Sequence, residues 1–347
     1  MRTLLVYLLI VISHPILAED IILAKQHSIH AKSLDDTRQL YISLPEHYDP
    51  NKSWPVLYVL HGQWDMLPTL ATLDLMMNRL PSFIVVGVES SGMELMPDNG
   101  KTTPFSTYLL TDVVPYINQH FSTAKFQILS GHSNSGRFVL DLWLRDSPSF
   151  SQFYAFSPSL DDGYLTLRMA SLSDEFLAKQ SPLVITMANE GDHMLNPFNE
   201  IKAKLTPALT SNFAAKHFPN TTHRETKHPS LTFALATTFK GWEPDYETKT
   251  GGFDKLQSHY TALTRKFGFD ISVPTETLQR LAAWYATKDS ATQKANLSAI
   301  VKYSLEKEGP NPLLEITDYL KNNDYKPASA LLLDTICSYA SKLKECR

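Results

Sequence analysis

The stretch Phe126-Gln-Ile-Leu-Ser-Gly131-His132-Ser133-Asn134-Ser135-Gly136-Arg137-Phe138-Val139-Leu140 has the residue types and spacing from which a serine nucleophile can be built. A buried apolar strand runs into a turn of small residues, and an amphipathic helix begins at once. Such a turn presses a serine hydroxyl out at the carboxyl edge of a sheet. It is so tight that the positions two before and two after the serine must carry almost no side chain. Gly131 meets the first demand. Ser135 stands where glycine is usual for the second, but it is small and Gly136 follows it. The plainer alternative is a Ser/Gly-rich turn that only joins strand to helix; the flanking strand and helix favour Ser133 as a nucleophile.

A serine nucleophile needs a base, and the base needs a group that holds its tautomer. On a sheet with such a turn the chain order is serine, then acid, then histidine. The acid belongs just beyond a late strand. Leu183 to Met187 reads as that strand, and Ala188-Asn189-Glu190-Gly191-Asp192-His193 follows it, so Glu190 and Asp192 are both candidates. Of the later histidines, His217 sits in Phe213 to Phe218, which reads as an edge strand. His223 and His228 lie in the loop before a helix expected to start near Ser230, where the base belongs; spacing alone does not separate them. Two backbone N–H groups must receive the developing oxyanion. One belongs to Asn134, the residue after the nucleophile. The other belongs to the loop His61-Gly62-Gln63-Trp64, where Gly62 permits close backbone approach, Gln63 is the expected donor and Trp64 a pocket wall. His61 precedes the nucleophile and reads as a structural residue at a strand end. No metal-ligand spacing is seen among the histidines, and no Gly-rich phosphate loop, so no cofactor or metal is expected.

Stepping outward, the elements that would carry these residues alternate between short apolar runs and amphipathic stretches. Gln39 to Leu44 alternates as a half-exposed strand does, whereas Pro55 to Leu60 is apolar throughout, and Phe83 to Val88 and Phe126 to Ser130 read as further buried strands. Tyr108 to Ile117 has helical spacing, with Pro115 a kink. Strands alternating with helices predict an α/β architecture with a mainly parallel sheet covered on both faces. This unit is expected to end near Trp242. After Gly251-Gly252 strand signals vanish, and Leu278, Leu281, Ala282 and Tyr285 fall at helical spacing. Further helices are expected over Lys294 to Glu308, Leu313 to Asn322 and Pro327 to Leu343. Residues 250–347 therefore read as an all-helical region, faintly tetratricopeptide-like but with no 34-residue self-match.

The chain has 347 residues, 43% hydrophobic and 20% charged, and its formal charge of -4 offers no electrostatic footprint for nucleic acid. Its start is grammatically separate. Arg2, the apolar run Leu4 to Ile12 and Ile16-Leu17-Ala18 spell a secretory leader over residues 1–18. That run is shorter than the ~20 residues a spanning helix needs, so no stable membrane anchor is expected. The expected location is periplasmic or secreted. Export permits a disulfide between Cys337 and Cys346. On one straight helix their nine-residue spacing holds the pair roughly 13 Å apart. A bridge can form only if the helix ends first and the tail folds back. Sequons at Asn51, Asn220 and Asn296 matter only in a eukaryotic secretory pathway.

Several of these strings together resemble one family. Tyr41-Ile-Ser-Leu-Pro-Glu-His-Tyr48, Trp54-Pro-Val-Leu-Tyr-Val-Leu-His-Gly62, Val85-Val-Gly87, Asp112-Val-Val-Pro-Tyr-Ile117, Gly131-His-Ser133 and Phe156-Ser-Pro-Ser159 are similar to the "putative esterase" branch of the α/β-hydrolases. That branch holds enterochelin-esterase-like, S-formylglutathione-hydrolase and feruloyl-esterase relatives. The resemblance covers about residues 25–242 and implies an α/β-hydrolase catalytic unit over that range. It also implies an Asn-Glu pair after the late strand, matched by Asn189-Glu190, which puts Glu190 ahead of Asp192. A His two residues before a Ser matches His228-Pro229-Ser230 better than His223-Arg224-Glu225. The chain departs from the pattern at Ser135 and at Met93-Glu-Leu-Met-Pro97, where relatives often carry Arg-Asp-Leu-Thr-Pro.

The expectation is therefore an exported serine carboxylesterase. Its catalytic residues would be Ser133, Glu190 and His228, with Gln63 and Asn134 forming the oxyanion hole. The substrate would be a small-molecule ester, and the C-terminal helices could offer a surface to a protein partner. A non-catalytic binding protein on a hydrolase scaffold and an acyltransferase using the same residues are the alternatives.

Overall fold

The computed structural model describes residues 22–97, 99–145, 149–288 and 290–347. The leader expected at 1–18 lies outside the described residues. Among the described residues no helix is long and apolar enough to cross a membrane.

Eight strands, β1 (Lys25–Ala31), β2 (Asp36–Ser43), β3 (Trp54–Leu60), β4 (Ile84–Val88), β5 (Thr123–His132), β6 (Gln152–Phe156), β7 (Leu183–Ala188) and β8 (Phe213–Phe218), form one sheet in the order β1-β2-β4-β3-β5-β6-β7-β8. β1 and β2 are an antiparallel hairpin, and β2 joins β4 antiparallel. From β4 to β8 every pairing is parallel. The parallel strands β3, β4 and β7 are buried along almost their whole length, which explains their largely apolar sequences, and β5 is buried from Gln127 to His132: both faces are covered. β8 is the edge strand its mixed sequence predicts, and it is only half-buried.

Two strands carry no sequence signal of their own. β1 is a largely polar edge strand, Lys-Gln-His-Ser-Ile-His-Ala, that exists through its pairing with β2. β6, Gln-Phe-Tyr-Ala-Phe, is five buried residues without alternation, too short for periodicity to speak.

Four helices matter for the site: α1 (Gly62–Leu75), α2 (Asn134–Trp143), α3 (Asp192–Leu209) and α4 (Lys227–Thr238). One sheet face packs on α2, α3 and the helical stretch 104–120, through residues such as Val113, Phe138, Trp143 and Phe198. That stretch widens into a π-helical turn at Tyr108–Val113 directly before Pro115. Proline has no N–H with which to continue the α pattern, so the expected kink takes the form of a bulge.

The other face packs on α1 and α4, and then directly on the helical region. That region consists of α5 (Phe253–Phe267), α6 (Thr275–Ala286), α7 (Ala291–Lys307), α8 (Asn311–Asn322) and α9 (Lys326–Tyr339). α5 was not anticipated from the sequence. It supplies Phe267, whose ring meets Phe126 of β5 edge-on at 5.4 Å and lies 5.0 Å from Phe239 just after α4. Leu57, Ile128 and Val184 of the sheet thus share one apolar core with Leu256, Leu278 and Ile300 of the helices.

α9 ends at Tyr339 and the tail turns back, so that Cys337 and Cys346 come within 5.5 Å (Cα to Cα) and are bridged. The condition set by helix geometry is met because the helix stops before the second cysteine. In the chain-entropy account a closure of 9 residues stabilises by about 2–3 kcal/mol. The double substitution Cys337→Ser/Cys346→Ser is expected to lower the urea unfolding free energy by about that amount. Ester hydrolysis should be unchanged, and circular dichroism beside an activity assay checks both.

Candidate active site

β5 ends at His132, Ser133 turns, and α2 starts at Asn134. Ser133 has φ 63° and ψ -125°, a backbone state that an L residue holds at a cost of about 1–3 kcal/mol. Neighbouring backbone pins it there. Its N–H donates to the Phe156 carbonyl at 2.9 Å, and its own carbonyl accepts from the Arg137 N–H at 3.0 Å. Strain imposed by surrounding hydrogen bonds is what a sharp strand-to-helix turn requires.

The glycines on either side show why little else fits. A Cβ on Gly131 would lie 2.4 Å from the Ser135 carbonyl oxygen, and one on Gly136 would lie 2.9 Å from that of Phe156. Both obstacles are backbone and cannot move aside. Gly131→Ala is therefore expected to cost about 3 kcal/mol or more, since overpacking at a rigid site cannot relax. Loss of the folded protein, or a large drop in its thermal midpoint, is the outcome to look for.

Ser135, the residue out of pattern, is fully buried, and its hydroxyl has work to do. It accepts from the His132 N–H and donates to the His132 carbonyl, both at 2.8 Å. Serine is thus tolerated at this position because its polar atom ties both backbone groups of His132.

Glu190 follows β7, and the loop after β8 carries His223. A backbone hydrogen bond from Asn189 N–H to the Thr221 carbonyl, 3.0 Å, joins the two loops. Nδ1 of His223 then lies 2.8 Å from Oε1 of Glu190. Both atoms are shielded from solvent, and among the described residues neither makes a well-aligned hydrogen bond. The pair is close but out of line. Asp192 is exposed at the first turn of α3, where its charge complements the helix N-terminus.

The structure corrects the expectation that Glu190 faces His228. α4 begins at Lys227, three residues before the Ser230 start read from the sequence, so His228 lies inside its first turn. From there it faces α1: its Nδ1 meets Thr72 Oγ1 at 2.9 Å, while neighbouring Lys227 pairs with buried Asp65 of the same helix. Pro229 was the overlooked signal, because proline is favoured in a helix's first turn and marks an onset just ahead of it.

Gln63 and Asn134 sit in the first turns of α1 and α2, beyond the ends of adjacent strands β3 and β5. Helix first-turn N–H groups have no partner within the helix, so both are available to an oxyanion. Their side chains are held elsewhere: Gln63 Nε2 donates to the Ser90 carbonyl at 2.7 Å, and Asn134 Oδ1 accepts from Ser159 Oγ at 2.8 Å. Gly62 earns its place here, since a Cβ on it would fall 2.3 Å from the Gly87 backbone. Trp64 is exposed beside this loop, its ring 5.0 Å from that of His61. His61 is buried against Ser90, its backbone N–H donating to the Ser90 hydroxyl oxygen at 3.0 Å, and burial pushes its pKa down. It is a structural anchor.

A parallel sheet covered on both faces, extended by an antiparallel hairpin and bearing a strained serine at a strand-to-helix turn, defines an α/β-hydrolase. Within that class, the "Putative esterase" family matches residues 31–213, and the chain belongs to it. The chain is 27% identical over 241 residues to the apo-salmochelin esterase of Escherichia coli, spanning 58% of this chain and 76% of the relative. An IroE-like serine hydrolase from Shewanella oneidensis has the same fold with a TM-score of 0.64 at 21% identity, over 80% of this chain and 98% of that one. An uncharacterised protein from Capnocytophaga ochracea matches with a TM-score of 0.63 at 16% identity, over 92% of this chain and all of its own. The last likeness extends the common fold into the helical region.

Proposed function

We propose that the protein is an exported serine carboxylesterase in which Ser133 is the nucleophile, His223 the general base and Glu190 its orienting acid. The contact between His223 Nδ1 and Glu190 Oε1, on loops that flank the Ser133 turn, carries this reading. With Nδ1 turned to the carboxylate, Nε2 is left to accept the serine proton. Ser133 Oγ attacks the ester carbonyl as that proton passes to His223. The oxyanion is received by the N–H groups of Gln63 and Asn134. The C–O bond to the alcohol then breaks, and His223 returns the proton to the leaving oxygen. Water, deprotonated by the same imidazole, attacks the acyl-serine and releases the acid.

The family membership and the likeness to a salmochelin esterase support a small-molecule ester as substrate, with siderophore esters as one class to test. The leader read over residues 1–18 supports export. A fluorophosphonate probe tests the chemistry directly: it should label the folded mature chain once, on Ser133. A folded protein that takes no label sinks the proposal. A panel of aryl, alkyl and catecholate esters would then rank substrate classes.

A further inference from the structure

The residue before the nucleophile is also held in an arrangement that nothing above requires. His132 is the last residue of β5, buried at 6% exposure, and its ring lies 4.4 Å from that of His223. Its Nε2 is 2.8 Å from the backbone carbonyl oxygen of His223. A carbonyl only accepts, so Nε2 carries the proton and donates. The same carbonyl accepts from Thr226 Oγ1 at 2.6 Å. Thr226 is fully buried, and its hydroxyl lies 3.4 Å from that of Ser157, which accepts from the Ala188 N–H at 2.9 Å. A polar chain thus runs from the end of β7, past the end of β6, to the His223 loop, and closes on β5 through His132.

We propose that His132 is a positioning residue: its Nε2–H holds the His223 loop against the Ser133 turn and so sets where the base stands. The backbone of His132 is itself clamped by the Ser135 hydroxyl at both N–H and carbonyl. Placement therefore passes from Ser135 to His132 to His223, and the serine that replaces glycine in this turn becomes the first link. Burial, aided by the nearness of His223 and Lys227, pushes the His132 pKa down to about 3. The ring stays neutral, keeps its Nε2–H tautomer, and adds no like charge beside His223 when that imidazole takes up the serine proton. A small cavity of about 20 Å³, lined by Gly131, His132, Asp65 and Lys227 among others, lies behind the turn. Truncating His132 would enlarge it, so the test keeps side-chain volume.

This inference rests on the assignment of His223 as base, and the experiment separates the two. His132→Leu fills the space without a donor, whereas His132→Gln carries an amide N–H close to the place of Nε2. The full mature chain is assayed on a p-nitrophenyl alkanoate beside His223→Ala, with thermal midpoints for every variant. A base displaced by about 1 Å loses roughly 100-fold in rate. His132→Leu should therefore lower kcat by about 10- to 100-fold with KM within about threefold of the parent, and His132→Gln should recover most of the loss. Full activity in His132→Leu with a dead His223→Ala overturns the positioning role alone. Equal loss in the Leu and Gln variants overturns it too, because the hydrogen bond would then not be the cause. An active His223→Ala would instead overturn the base assignment. Should His132→Leu not fold, His132→Asn, whose amide is one methylene short of the carbonyl, is expected to be as slow as the Leu variant would have been, and full activity there overturns the role.

Discussion

Ser133→Ala is expected to abolish ester hydrolysis, a loss of about 10⁴-fold or more in kcat, while the fold is unchanged or slightly more stable. The size of the loss follows from the role. A nucleophile has no substitute in the covalent route, and what survives its removal is the residual catalysis of the oxyanion donors and binding. The stability half follows from the backbone. Ser133 sits at φ 63° because its N–H and carbonyl are held by Phe156 and Arg137, not because its side chain pays for the strain. Alanine keeps those backbone bonds. The pair of measurements, kcat on an aryl ester and the thermal midpoint, thus distinguishes a catalytic serine from a turn residue. A variant that melts far below the parent, or that retains activity, contradicts the assignment.

The second large effect is a contrast. His223→Ala should reduce kcat by about 10³-fold or more, as loss of a general base does. His228→Ala should change kcat by less than about threefold and act on stability instead. Its Nδ1 contact with Thr72 ties α4 to α1, and a side-chain hydrogen bond contributes about 1 kcal/mol. Run side by side, the two substitutions assign the base without any assumption about spacing. If His228→Ala is the dead variant, the contact between His223 and Glu190 is structural and the mechanism must be redrawn.

What could be read from the sequence, and what could not, divides along physical lines. The interior strands β3, β4 and β7 were legible because burial on both faces leaves nearly continuous apolar runs, and β5 because a short apolar stretch leads into the Ser133 turn. The Ser133 turn was legible because its steric demands exclude most residues, and Gly131 and Gly136 answer them. β1 was not, since a polar edge strand is specified by its partner rather than by its own pattern. Which of His223 and His228 faces Glu190 was not legible for a related reason. Both lie within one loop-to-helix passage, and a shift of three residues in the onset of α4 decides which one turns toward Glu190 and which toward Thr72. Element boundaries are where local sequence constrains the chain least. The resemblance to relatives pointed to His228 instead, because His228-Pro229-Ser230 satisfies a spacing that here falls at a helix start.

The aromatic seam between Phe126, Phe239 and Phe267 changes what the first two-thirds of the chain can be on its own. One face of the sheet receives part of its cover from residues that are synthesised near the end. A nascent chain that has delivered Ser133, Glu190 and His223 already holds every candidate reacting group, yet its hydrophobic core is still open to water. Non-local contacts of this kind form late and link distant segments into one cooperative transition. Order of synthesis and order of folding are thereby uncoupled: a chain cut off before Phe253 is expected to leave Phe126 and Phe239 without the Phe267 ring that covers them.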